Sequence, residues 1–272
     1  MRMGPKRNAE RGKMTLSKQD LADLRYAKNL LENPGLAAKL TNLIGVPIEK
    51  GLALLPRKAA ALIATASRKS LNQALHFAII TMNERPRSDS RNTLHKVAVA
   101  VTGAGGGAFG LAALTVELPI STVIMLRSIA DIARSEGERV KTPETKLACL
   151  EVFALGGRSK EDDASQSGYF AVRAALATAV SEAAEHLAQK SLAQDSAPAI
   201  VRFITRVAAR FEVAVSEKAA AQLVPFIGAV GGAVVNTLFI DHFQSIARGH
   251  FIVRRLERTF DPQLIKREYL RL

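Results

Sequence analysis

The chain has 272 residues, room for one large or two small domains with a sizeable buried core. Tryptophan is absent, aromatic residues make up 5% and hydrophobic residues 48% with alanine and leucine prominent, a balance that argues against sandwiches and barrels and for an all-α fold. The formal charge of +13 draws the molecule to polyanions, nucleic acid or anionic lipid, and a single cysteine, Cys149, excludes an intramolecular disulfide or a cysteine-rich metal site and fits a reducing cytoplasm.

Residues 1–16 are basic and polar, with no apolar run of the kind a secretory signal carries, and read as a flexible basic tail ahead of one helical domain over 17–272. Ser17 with Asp20 resembles a capping pattern, and Leu21, Leu24, Ala27, Leu30 and Leu31 share a helical face that ends at Asn33-Pro34-Gly35. Pro47 and Pro56 look like first-turn prolines, the second opening a long helix to about Met82. A polar break at Glu84–Asn92 follows. Pro119 reads as a helix boundary, because proline removes an amide donor, and Ile120 to Glu136 as an amphipathic helix ending at Gly137. Thr142-Pro143-Glu144 is an N-cap with proline at N1, and the helix it starts stops at Gly156-Gly157. After a surface loop at 158–168, helices are expected at about 169–190 and 198–222, and Asp261-Pro262 caps a short terminal one.

Two uncharged, glycine-rich stretches stand out, Val97–Val116 and Ala219–Ile240. Either is long enough as a helix to cross a hydrocarbon core of about 30 Å, yet each is only marginally hydrophobic. Gly103 and Gly107, Gly106 and Gly110, and Gly228 and Gly232 are four apart, which lets helix backbones approach closely. The expected fold is thus a multi-helix bundle in which two glycine-rich apolar helices pack together, in the core or at a membrane. A phosphate-cradling loop in GAGGGAFG is disfavoured, since no strand–helix alternation, downstream acidic residue or Walker lysine accompanies it.

Glu117, Arg127 and Asp131 follow the first stretch, and Asn236, Asp241 and His242 lie within or just beyond the second; if the stretches pair, these six converge on a small polar site. The structural alternative pairs Arg127 with Glu117 or Asp131 to neutralise buried charge. The five histidines form no metal-binding spacing, His242 and His250 lack further ligands, and no metal or cofactor is expected. Cys149, between Leu147 and Leu150, reads as an inert core thiol. Arg248, Arg254, Arg255 and Arg258 read as a solvated face or as contacts to anionic headgroups.

The run from Val97 to Gly137, with Glu117-Leu118-Pro119 and then Arg127-Ser128-Ile129-Ala130-Asp131-Ile132-Ala133, resembles the core of the EcsC family of bacterial proteins. The likeness continues through Pro143-Glu144 and Val152-Phe153-Ala154-Leu155-Gly156, and again from Val224 to Asn236 with Phe239 and Ala247, spanning most of residues 60–257. Glu117 departs from the aspartate expected there, keeping the charge on a longer arm. The family takes its name from a protein encoded beside the subunits of an ABC transporter, and its biochemical role is undefined. The peptidase label carried by some relatives has no support here, for want of clustered zinc ligands.

Resemblance and composition together lead to the expectation of a non-enzymatic accessory or regulatory protein on the cytoplasmic face of the inner membrane, with anionic lipid and ABC transporter subunits as candidate partners. A soluble helical module binding a lipid or other apolar ligand is the alternative, and a hydrolase comes third. Specific nucleic-acid recognition ranks last, because no motif with stacking aromatics accompanies the charge.

Overall fold

A computed structural model describes residues 15–32, 35–82, 111–157, 168–189, 197–223 and 228–272. These form ten helices and no strand: α1 Lys18–Glu32, α2 Leu36–Ile44, α3 Ile48–Ala53, α4 Ala59–Thr81, α5 Leu111–Ser135, α6 Pro143–Gly156, α7 Gly168–Gln189, α8 Pro198–Gln222, α9 Gly228–Thr259 and α10 Pro262–Arg271. The all-α class follows from composition as expected.

Helix α6 lies at the centre. It is apolar around its whole circumference rather than along one stripe, so only complete burial satisfies it. Every residue from Thr145 to Gly156 is buried, and α4, α5, α7, α8 and α9 all pack on it. The Phe153 ring meets Phe211 edge-on at 5.1 Å and Phe243 at 5.3 Å, joining α6 to α8 and α9 through one aromatic cluster. Cys149 is fully buried there, and burial raises its thiol far above the ordinary range, which keeps it inert.

Because α6 is enclosed, its terminal backbone groups cannot turn to water. At the N-terminus the Thr142 side chain accepts from the Thr145 amide with Pro143 at N1, as the sequence predicts. At the C-terminus, Arg210 Nε of α8 donates to the Ala154 carbonyl at 3.1 Å. His242 Nε2 of α9 reaches the Gly156 carbonyl at 2.8 Å, so that nitrogen carries the proton. Gly157 is required by a close approach: a Cβ there would overlap the Arg210 carbonyl. The buried Lys146 of α6 donates its ammonium to the Ile79 carbonyl at the end of α4, where the helix dipole favours a cation.

The outer helices follow local chemistry. Ser17 and Asp20 exchange backbone–side-chain hydrogen bonds at the start of α1, and Asp261 accepts from the Gln263 amide to open α10, both as expected. The long α9 packs against α1 at Gly249, where a Cβ would lie 2.9 Å from the Ala27 carbonyl oxygen. Helix α5 ends in a Schellman turn, with Gly137 at φ 79° and the Glu138 amide donating to the Ala133 carbonyl at 3.0 Å.

The expectations for three prolines need correction: Pro47 is the N-cap of α3 and not its first residue, and α4 begins at Ala59, three residues after Pro56. Pro119 is buried inside α5 instead of marking its start; a proline withholds one donor from the ladder, and the Ser121 and Thr122 hydroxyls add bonds to the Leu118 carbonyl beside it. The stretch Ala219–Ile240 is not one helix: α8 ends at Gln222 and α9 begins at Gly228. No helix among the described residues is long and apolar enough to cross a membrane. Gly232 is buried on α9 and Gly228 opens it, whereas Gly103, Gly106, Gly107 and Gly110, and with them the pairing of the two stretches, lie outside the described residues.

Gly157→Ala is expected to cost about 1–3 kcal/mol or more through overpacking against the α8 backbone. Urea denaturation should show the midpoint falling with an unchanged slope.

Candidate functional site

The six polar residues singled out from the sequence meet different partners. Glu117 of α5 is buried and paired with Lys218 of α8, Oε1 to Nζ 2.6 Å, and the ammonium also lies 5.0 Å from the Phe239 ring centroid on α9. Arg127 is exposed and stacks on Phe77 at 5.3 Å, so the expected pairing with Glu117 or Asp131 is corrected; Asp131 binds Arg134 at 2.5 Å. Asp241 lies near Lys39 of α2, His242 closes α6, and Asn236 is buried on α9. The longer arm of Glu117, noted above, reaches a lysine from the adjoining helix. Burial lowers the Lys218 pKa, and Glu117 opposes that fall by charge and hydrogen bond.

The arginines of α9 are also placed differently from the headgroup contacts expected of them. Arg254 and Arg258 both bind Glu138, the residue that the Gly137 turn delivers to α9. Arg255 bridges Glu136 and Asp23, at 2.8 and 2.7 Å, and so joins the end of α5 to α1. Burial alone would raise the Glu138 pKa, but the Arg254 hydrogen bond, the charges of Arg254 and Arg258 and the Thr145 hydroxyl hold it below the ordinary glutamate range. Arg254, Arg255 and Arg258 are therefore held in ion pairs between elements, Arg258 at the surface; Arg248 is half-buried nearly two turns before Arg254.

Beside this node lies a polar cluster that the sequence did not reveal. The Arg173 guanidinium of α7 forks onto Glu257 of α9 at 2.8 and 2.9 Å and donates to the Tyr169 hydroxyl at 3.3 Å. The phenol, whose ionisation burial suppresses, is then left to donate to His250 Nδ1 at 3.0 Å. That puts the imidazole proton on Nε2, which is fully buried, has no hydrogen-bond partner and lies 4.0 Å from Glu151 Oε2. Burial, with Arg173 and Arg254 nearby, lowers the His250 pKa well below its ordinary value and keeps the ring neutral. Glu151, the acidic residue in the buried middle of α6, is pushed up to about 7 by burial, against the pull of Arg173 and Arg254. A cavity of about 440 Å³ opens onto it, lined also by Glu144, Glu185, Arg173 and Arg254. The one signal available in sequence was a glutamate in the middle of an otherwise apolar helix.

A second cavity, about 420 Å³, runs between α4 and α5 and is lined by Phe77, Ile80 and Val123 with His76, Asn72 and Gln73. Val116 and Ile120, exposed at 66% and 47%, extend the apolar stripe along α5, and Ile80 is exposed on α4. Arg127 closes the end of this groove over Phe77.

Fold and site together define a helical bundle organised on a buried central helix and fastened by buried charge. The chain belongs to the EcsC protein family, whose model matches residues 16–256. No curated protein and no solved structure matches it.

Lys218→Met leaves Glu117 buried without its counter-ion and should destabilise the fold by about 3–5 kcal/mol, most of it recovered in the double variant Glu117→Leu/Lys218→Met; a denaturant double-mutant cycle measures the coupling. For Glu151 the folded pKa is raised, so its ionisation costs stability progressively as pH rises from about 4.3, the unfolded value, to about 7, and the cost is constant above that. Glu151→Gln should therefore melt at higher temperature than the parent at pH 8 and at nearly the same temperature near pH 4, a contrast calorimetry resolves.

Proposed function

We propose that this protein is a non-enzymatic accessory factor that docks peripherally on an anionic membrane surface, the cytoplasmic face of the inner membrane, through the α4–α5 groove. The observation that carries the reading is the exposed stripe of Val116, Ile120 and Ile80 over the Phe77–Val123 groove, bordered by cations. Soluble surfaces seldom leave such a stripe uncovered. Arg127 closes one end, Lys69 lies one helical turn before Gln73, and no carboxylate lines the cavity. With a net charge of +13, long-range attraction brings the molecule to anionic headgroups, and the stripe supplies apolar area to bury at the interface. Peripheral docking needs no spanning helix and leaves the α9 ion pairs intact. A place beside ABC transporter subunits, implied by the family's name, belongs to the same proposal.

The groove could also take one acyl chain from solution, which is the lipid-binding alternative; its support is the concave, apolar Phe77–Val123 lining. Flotation separates the two. The full chain should float with phosphatidylglycerol vesicles and much less with phosphatidylcholine vesicles, more weakly at high salt, and Ile120→Glu should reduce flotation about tenfold, in line with the cost of placing a charge at an apolar interface. Equal flotation with both vesicles, or none lost in Ile120→Glu, would overturn the docking face. Capture of monomeric fatty acid without flotation would favour the alternative.

A further inference from the structure

We propose that the cavity between α6, α7 and α9 is a binding site for a small aliphatic ammonium, an alkyl amine or diamine, with Glu151 as its anionic anchor. Glu151 is 6% exposed, and its carboxyl accepts no hydrogen bond and faces the cavity. A buried carboxylate without donors is costly. The neighbouring donors are committed elsewhere, the Arg173 fork to Glu257 and Arg254 to Glu138. Behind Glu151, His250 Nε2 lies 4.0 Å from Oε2, beyond hydrogen-bond distance, and its ring is neutral, so it brings no charge to the carboxylate.

The local charge sets the sign of the ligand. The lining carries three glutamates, Glu144, Glu151 and Glu185, and two arginines, Arg173 and Arg254, whose guanidinium groups are already paired with Glu257 and Glu138 outside it. In a chain of +13 this is an acidic enclave, which repels anions and attracts a cation. A metal ion does not fit: among the described residues no group of three or more His, Cys, Asp or Glu side chains is arranged to hold one. An ammonium does, since its three N–H donors match Glu151 and the Ser181 hydroxyl at the wall. Ala177, Val180 and Ala184 present one face of α7 to the cavity, an apolar surface for an alkyl stem. About 440 Å³ suits a short chain, and Glu144 and Glu185 at the exposed rim are placed to hold a second ammonium.

Binding has a proton balance. With its carboxyl pushed up to about 7, Glu151 is partly protonated near neutrality; Arg173 and Arg254 pull that value down and Glu257 pushes it up. An ammonium docked on Glu151 favours the ionised form, so binding expels the carboxyl proton to solvent.

The test titrates cadaverine into the full chain by calorimetry at neutral pH, in two buffers of different ionisation enthalpy. Saturable binding of one cadaverine per chain is expected, with proton release, no binding of n-pentanol, and an affinity loss of about tenfold or more in Glu151→Gln. Since Glu151 makes no hydrogen bond, that variant should fold; the exposed Glu144→Gln is the second variant, with a few-fold loss. Unchanged affinity in both variants, binding of pentanol as tight as that of cadaverine, saturable binding of inorganic phosphate instead, or no saturation by millimolar cadaverine would each overturn the proposal. Flotation on vesicles is indifferent to all these results.

Discussion

A helix with no polar face must be covered on every side, and in this protein that requirement falls on α6. Five helices pack on its fourteen residues. Enclosure removes water from its ends, so the closing groups come from the wrapping helices themselves: the Arg210 guanidinium from α8 and the His242 ring from α9. Gly157 allows the α8 backbone to come close enough for this. The geometry of α8 and α9 is therefore tied to α6 twice, by the Phe153 aromatic cluster and by these carbonyl caps. One contact is non-directional and the other directional, so together they set both distance and rotation.

Charge is handled by the same logic at the periphery of the core. Glu117 of α5 meets Lys218 of α8, and Glu138 gathers Arg254 and Arg258 where the Gly137 turn returns toward α9. A buried pair contributes little net stability compared with apolar packing, but it penalises any arrangement that separates its partners. These pairs therefore select one register among helices whose aliphatic surfaces could slide. They also occupy cations that composition alone would assign to an anionic surface, whereas Arg127 at the α4–α5 groove stacks on Phe77 and is exposed.

The two cavities differ in their linings. Between α4 and α5 the lining is apolar, and the uncovered Ile80, Val116 and Ile120 lie beside it. Between α6, α7 and α9 the lining is charged, three glutamates and two arginines, with the buried Glu151 carboxyl at its inner end. The two cavities share no lining residue, so the proposed docking groove and the proposed ammonium site can be tested independently.

The all-α class, the family and most helix ends were legible from residues alone. The caps at Ser17, Thr142 and Asp261 and the stops at Gly137 and Gly156-Gly157 act within a few residues, and such local hydrogen bonding is written in adjacent positions. Context outweighs the local rule at Pro119, which continues a helix because the packed, buried α5 outweighs one missing donor, whereas the helix end expected at 222 holds although the apolar stretch runs on past it. The partners of charged residues were beyond reach for a different reason. Lys218 is 101 positions from Glu117, Arg173 is 84 from Glu257, and Tyr169 is 81 from His250. Nothing local distinguishes one arginine or glutamate from another, so sequence determined which helices exist and that α6 must be buried. Only the three-dimensional packing decided which charges meet, which are spent inside, and which carboxyl is left facing a cavity.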